Sequence, residues 1–267
     1  MPRTARLWLR HPVQSARWLW HATSARAGAT ARLRMPHGWE VVCHPAAVPA
    51  FAFERDEPEL RAELDAFVAA CAEGMVLFDI GAHYGLFTLA ALHYGGAAAR
   101  VVALDPSDAA AAVFDENVRL ARGTSRVVRH RAAAGATAGE TSLLSGGAGA
   151  WHMMVAPGEA RADVVTVPVL TIDGLVRDSG LVPTHVKIDV EGQEDAVLRG
   201  ADATLRGARP IVFLELHGGI IRRAGGSPVA VLERLRAAGY HSLAIAGRPV
   251  SAEDAAAQDV ARIECRT

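Results

Sequence analysis

Four short stretches hold residue types that could do chemistry. FDIGAHYG (78–85) places Asp79 at the end of an apolar run, followed by Gly81, Ala82, His83 and Gly85. RVVALDP (100–106) closes a second apolar run with Asp105 and Pro106. HVKIDVEGQED (185–195) sets Lys187 between Val186 and Ile188, with Asp189, Glu191 and Glu194 crowding the turn that follows. ELHGG (215–219) adds Glu215 and His217 at the end of another apolar run. A strand running through a glycine turn into a helix is where α/β proteins bind nucleotides. Carboxylates at the same strand ends could accept a substrate proton.

Which nucleotide depends on the turn. Its spacing is GxxxG, without the third glycine of a dinucleotide fingerprint. Asp79 would repel a pyrophosphate and attract a cation, which suits the ammonium and sulfonium of S-adenosylmethionine (SAM). A turn or capping role for Asp79 is the plain alternative. Asp105 lies 24 residues after Gly81, near the spacing expected of an acid that grips ribose hydroxyls, although Asp-Pro is also a common turn.

Lys187 is the only lysine among 28 basic residues. A parallel strand covered on both faces rarely holds a charge without a partner. Asp189 is the first candidate for a general base, with Glu191 and His217 behind it. Lys187, two residues before Asp189 and so on the same face of the strand, is expected to lower its pKa. Glu194 reads as an acid in a first helical turn. No histidine has metal-ligand spacing, so no metal is indicated.

These residues need a frame. The alternation predicts strands at 76–80, 100–105, 126–133, 185–190 and 210–216, with helices over 58–74, 84–94, 108–122, 193–206 and 227–238. Such βαβ units make a parallel sheet, and strands 241–246 and 260–266 are expected to end it antiparallel. Residues 40–53 read as extended pieces broken by Pro45 and Pro49. Residues 135–163 read as an inserted hairpin or flap, whose segment 145–163, with Trp151, Met153 and Met154, either folds over the acceptor or is a surface loop. Residues 164–172 read as an exposed strand, with Pro168 favouring an edge.

The division expected is a basic arm (1–39), lead-in strands and helix (40–74) and a main domain (75–267). The arm holds seven arginines, Trp8, Trp18, Trp20 and no acid; the rest has 21 basic against 29 acidic residues. That acidic body argues against nucleic acid as a partner, while residues 1–34 are either an extension with no separate role or a segment suited to an anionic or membrane surface. Cys43, Cys71 and Cys265 form no CxxC pair and fit a reducing compartment. Arg10 and Arg17 interrupt the one candidate signal-peptide core, and no apolar run is long enough to span a bilayer, so a cytoplasmic location is expected.

With these motifs, the chain resembles the FkbM-type family of SAM-dependent methyltransferases over roughly residues 75–216. FDIGAHYG is similar to the family's DxGAxxG loop, ALDP to its acid–proline, and KIDVEGQEDAVLRGA to its K-x-D-x-E-G-x-E signature. The resemblance implies a Rossmann-like, seven-stranded class I methyltransferase sheet and O-methylation of a hydroxyl on a sugar, glycoside or natural product. It implies SAM contacts by the residues of the loop and by Asp105 and Pro106. His83 stands where the family usually has a small amide, and Asp105 where it usually has glutamate. An NAD(P)-dependent oxidoreductase and a non-catalytic SAM-binding module are the alternatives.

Overall fold

The computed structural model describes residues 29–144 and 164–267. In chain order these form β1 (Ala31–Arg34), β2 (Glu40–Cys43), α1 (Val48–Asp56), α2 (Pro58–Ala70), β3 (Val76–Ile80), α3 (Leu86–Tyr94), β4 (Arg100–Leu104) and α4 (Asp108–Leu120). There follow β5 (Val127–His130), β6 (Ala133–Ala134), β7 (Gly139–Leu144), β8 (Val164–Leu170), α5 (Ile172–Ser179), β9 (His185–Ile188), α6 (Glu194–Arg199) and α7 (Asp202–Gly207). The chain closes with β10 (Ile211–Leu216), α8 (Gly218–Arg223), α9 (Pro228–Ala237), β11 (Ser242–Ile245), β12 (Arg248–Pro249), α10 (Ala252–Ala257) and β13 (Ala261–Arg266).

Among the described residues the main sheet has eight strands, in the order β12-β11-β13-β10-β9-β3-β4-β5. The five from β5 to β10 are parallel, in the order of a doubly wound fold. β13 then inserts antiparallel between β10 and β11. Seven strands were expected; the eighth, β12, is a two-residue edge paired with β11. The antiparallel end agrees with the sequence reading; the connection from β11 to β13 carries only the β12 edge and the short helix α10.

Period-two alternation divides the sheet into two faces. Phe78, Ile80, Val186, Ile188, Leu214 and Leu216 pack with α5–α10 in one core. Leu77 and Phe213 pack with Leu64, Phe67, Leu89 and Phe114 in the other, under α1–α4. The same alternation puts Asp79, Lys187 and Glu215 on the second face, and the strand register sets Asp79 beside Lys187.

Several sequence expectations are corrected. Residues 48–56 are helical, because Pro49 lies in the first turn, where no intrahelical N–H is needed. Residues 31–39, grouped with the arm on composition, fold with the body: β1 pairs with β2, and Leu33, Met35 and Trp39 are buried. The helix expected over 193–206 divides into α6 and α7 at Gly200, and the strand expected over 126–133 divides into β5 and β6. β7 and β8 form the expected hairpin, but β8 is the middle strand of a separate three-stranded sheet. Pro168 is tolerated there because β6 reaches only Val169 and Leu170, leaving the proline's other side without a ladder. Residues 145–163, with Trp151, Met153 and Met154, and residues 1–28 of the arm lie outside the described residues. Among the described residues no helix is long and apolar enough to cross a membrane.

The turn after β3 is the tightest point of the fold. Gly81 has φ +85°, and a Cβ there would lie 1.8 Å from the Asp189 carbonyl oxygen. Gly85 has φ +86°, and a Cβ there would lie 2.8 Å from the Phe114 ring. A ring can shift, whereas a backbone pinned between two strands cannot. Gly81→Ala is therefore expected to lower the unfolding free energy by roughly 2–4 kcal/mol, and by more than Gly85→Ala does. Urea titration of both variants checks the order, and equal losses would show that the carbonyl contact is not what demands glycine.

Candidate functional site

The glycine turn presents its residues to a cavity of about 540 Å³ at the carboxyl edge of the parallel strands. Asp79, Gly81, Ala82, His83, Gly85, Asp105 and Pro106 all line it, as do Lys187, Asp189 and Glu191. His217 lies behind this wall. The hairpin stem closes one side with residues 139–141, Leu143 and Val169.

Asp79 is buried, and its carboxylate accepts from the Thr88 hydroxyl at 2.6 Å and from the Thr88 backbone N–H. It thus docks the first turn of α3 onto the end of β3, which is the capping role weighed in the sequence, while still lining the cavity. Burial pushes its pKa up to about 6, against the Thr88 bonds and the Lys187 charge. Asp105 takes one N–H on each oxygen: His83 on Oδ2 and Ser107 on Oδ1, both at 2.8 Å. Each oxygen keeps a lone pair for a further donor. His83 has φ +45°, a left-handed conformation that histidine shares with asparagine, so the replaced amide leaves the turn unchanged.

The partner that Lys187 requires comes from outside the motifs. Its Nζ lies 2.9 Å from Glu63 on α2 and 3.7 Å from Glu215, over the Phe87 ring at 5.1 Å. Arg262 on β13 completes the group, 2.6 Å from Glu215 and 3.7 Å from Glu63. Burial lowers the Lys187 pKa, but the Glu63, Asp189 and Glu215 charges outweigh it and leave the ammonium firmly protonated. Sequence reasoning missed Glu63. Its signal was a charged residue on the buried stripe of α2, between Leu60, Leu64 and Phe67.

Around Asp189 the sequence expectation reverses. Withdrawal from water raises its pKa, Glu215 and Glu191 raise it further, and Lys187 with His217 only partly offsets them. Lys187 does lower it as expected, but its ammonium is engaged by Glu63. His217 is buried, and its Nδ1 lies 2.7 Å from Glu194, which is fully buried and also accepts from the Gly192 N–H at 3.1 Å. Glu194 therefore holds His217 in place, beyond the helix-start role read in the sequence. The His217 Nε2 lies 3.5 Å from Glu191 and 3.8 Å from Asp189 and Glu215. Burial lowers the His217 pKa, but the Glu194 bond and the Glu191 and Asp189 charges lift it to about 9. At neutral pH it is an imidazolium, so it steadies the carboxylates and does not act as a base.

Asp189, Glu215 and His217 bring donor atoms within 4.8 Å of one another, a grouping that the sequence spacing did not suggest. Arg262 and Lys187 already flank Glu215, and protonated His217 repels a cation, so the cluster balances as an ion-pair network.

The methyltransferase FkbM domain profile matches residues 79–242, more than half of the chain. The chain belongs to the FkbM methyltransferase family. Comparison with curated protein sequences gives no match. Among solved structures, the FkbM methyltransferase of Methylobacillus flagellatus KT is similar at 16% identity and TM-score 0.41, over 79% of this chain and 49% of that one. The chain thus spans about half the length of that relative. The precorrin-6y C5,15-methyltransferase of Geobacter metallireducens GS-15 aligns at 14% identity and TM-score 0.44, over 79% of this chain and 89% of that one. An O-methyltransferase of Bacillus cereus aligns at 14% identity and TM-score 0.41, over 78% and 79%. Family membership removes the nicotinamide oxidoreductase alternative.

In this FkbM chain the ion-pair network sets a measurable condition. Removing one partner of a buried pair strands the other, so Glu63→Ala should cost about 3–5 kcal/mol of stability. Glu63→Leu combined with Lys187→Met removes both charges and should recover much of that loss. Chemical denaturation of the single and double variants checks it, and a single-variant loss below about 1 kcal/mol would show the pair to be dispensable.

Proposed function

We propose that the protein transfers a methyl group from SAM to a hydroxyl of a sugar, glycoside or natural product. The observation that carries this reading is the place of Asp189: its carboxylate lines the cavity directly beside the glycine turn of the FkbM family. SAM supplies the electrophilic methyl group when bound.

The residues present suit that ligand. The free lone pairs of Asp105 fit a pair of ribose hydroxyls, and the cavity volume lies within the range of small-molecule sites. The backbone of 81–85 would hold the methionyl end, with Asp79 setting the turn and adding negative charge nearby. Pro106 closes the edge of the same wall. Asp189 follows the strand beside β3, and its N–H donates to the Ile80 carbonyl at 2.9 Å. That bond holds the candidate base at a set distance from the turn, and such alignment is the larger part of in-line methyl transfer.

An alcohol gives up its proton as the new bond forms. A carboxylate with an ordinary pKa is a weak base for that proton, and one raised toward neutrality is stronger. The His217 imidazolium, 3.8 Å from Asp189, offsets the charges around it, and Lys187 anchors the strand beneath.

Calorimetry should show S-adenosylhomocysteine binding that falls at least about tenfold in Asp105→Ala, the scale of a lost charged acceptor. Asp189→Asn should keep that affinity within about threefold and slow methyl transfer by roughly 10²-fold or more. The acceptor for this assay comes from screening hydroxylated sugars and glycosides with labelled SAM. Only ionised Asp189 accepts a proton, so the rate should rise with pH through a limb above the usual carboxylate range. Asp189→Asn should lack that limb. A parental rate in Asp189→Asn would place the base elsewhere, and absence of S-adenosylhomocysteine binding would overturn the methyltransferase reading.

A further inference from the structure

The imidazolium of His217 offers one N–H to three carboxylates. Its Nδ1 is taken by Glu194, and its Nε2 lies 3.5 Å from Glu191 and 3.8 Å from both Asp189 and Glu215. All three distances exceed a full hydrogen bond, so the donor sits between competitors. Asp189 and Glu191 line the cavity, and Glu215 does not. Of the three, Glu215 has the most buried side chain and would gain most from claiming the cation.

Arg262 stands in the way of that claim. It lies directly across from Glu215 in the antiparallel register of β10 and β13, so the two side chains share a face of the sheet. Its Nη2 donates to Glu215 Oε1 at 2.6 Å, and Oε1 is the same oxygen that faces His217. The guanidinium also reaches α2, 3.7 Å from Glu63 and 3.5 Å from Glu59. Lys187 cannot take its place, because it is 3.7 Å from the other Glu215 oxygen and is engaged by Glu63 at 2.9 Å. An oxygen already held in a charge-assisted bond attracts a second cation less. β13 lies beyond the span of the family profile, so no motif points to this residue.

Resting on the methyltransferase reading with Asp189 as base, we infer that Arg262 is a positioning residue for methyl transfer: it holds the Glu215 oxygen that faces His217 and so leaves the His217 Nε2–H to the cavity carboxylates Asp189 and Glu191. Without the arginine, Glu215 turns to His217 and draws the imidazolium charge away from the base. Burial and the Glu215 and Glu191 charges already disfavour ionised Asp189, and Lys187 and His217 oppose them. Lys187 is committed to Glu63, so His217 is the cation that can be withdrawn. Its withdrawal makes Asp189 harder to ionise, and the limb of the pH–rate profile then moves to higher pH.

The test uses the full chain and two readouts. In ¹H–¹⁵N spectra of histidine-labelled protein, the His217 ring resonances, assigned with His217→Gln, should move in Arg262→Met as Nε2 gains Glu215. Adding Glu215→Gln to Arg262→Met removes the competing charge and should return them toward their parental place. This readout needs neither SAM nor an acceptor. In the methyl-transfer assay, Arg262→Met should move the Asp189 limb up by about one pH unit, which is about a tenfold loss of rate below the limb. S-adenosylhomocysteine affinity should stay within about threefold. The double variant should bring the limb back to its parental pH or below it. Arg262→Gln, which keeps one neutral donor on Glu215, replaces Arg262→Met should that variant fold poorly, with the same direction of shift expected. Unmoved His217 resonances overturn the proposal, as does a limb that stays at its parental pH. A double variant as impaired as Arg262→Met also overturns it, since the arginine would then serve the fold alone. Absence of methyl transfer from the parent chain is a separate result that removes the methyltransferase reading and the positioning role with it, while the resonances still report whether Arg262 governs His217.

Discussion

A single ammonium group in the middle of a parallel sheet sets the terms for much of this molecule. Lys187 is 2% exposed, in an inner strand of the parallel sheet, and a charge so placed is tolerated only with close partners. Its partners are Glu63 from α2 and Glu215 from the neighbouring strand, and Arg262 from the antiparallel strand beyond pairs with both carboxylates. Lead-in helix, sheet centre and C-terminal strand are thereby tied to one another at one point. Breaking the tie would leave buried charge, which is a stronger constraint on geometry than apolar packing alone.

The catalytic side of the sheet inherits its charge balance from that tie. Burial and the Glu215 charge move the Asp189 pKa up, and Lys187, itself engaged by Glu63, only partly offsets them. His217, fixed through Nδ1 by buried Glu194, becomes the cation that faces Asp189 and Glu191. The backbone adds precision. The Asp189 carbonyl rests where a Cβ of residue 81 would be, so the glycine turn and the candidate base share one van der Waals contact. Neither can shift without the other.

The segment before the main domain is part of the site. Residues 31–56 pack through Leu33, Trp39, Val41 and Phe51 into the core shared with α3 and α4. That packing carries Glu54 to the cavity wall and sets α2 where Glu63 can reach the sheet. The cavity wall therefore depends on a region with no motif of its own. The family profile begins at residue 79, after it.

Strand and helix alternation, the glycine turn and the acids at strand ends were legible in the sequence because each depends on local periodicity or on backbone conformation within a few residues. The parallel order, the antiparallel close and the line of Asp79, Asp105, Lys187 and Asp189 along one carboxyl edge follow from those patterns. Pairings between residues far apart in the chain were not legible. Nothing near Lys187 in the sequence names Glu63, 124 positions away, and nothing near His217 gives Glu194 as its support. For the same reason the direction of the Asp189 shift was misread: a pKa sums charges in space, and the sequence shows only neighbours along the chain. The central place of β8 was likewise decided by pairing between distant segments, whereas the helical start at Pro49 follows a local rule that the sequence reading did not apply. Composition and spacing determined which groups could react; the tertiary structure alone decided which charges stand within a few ångströms of them.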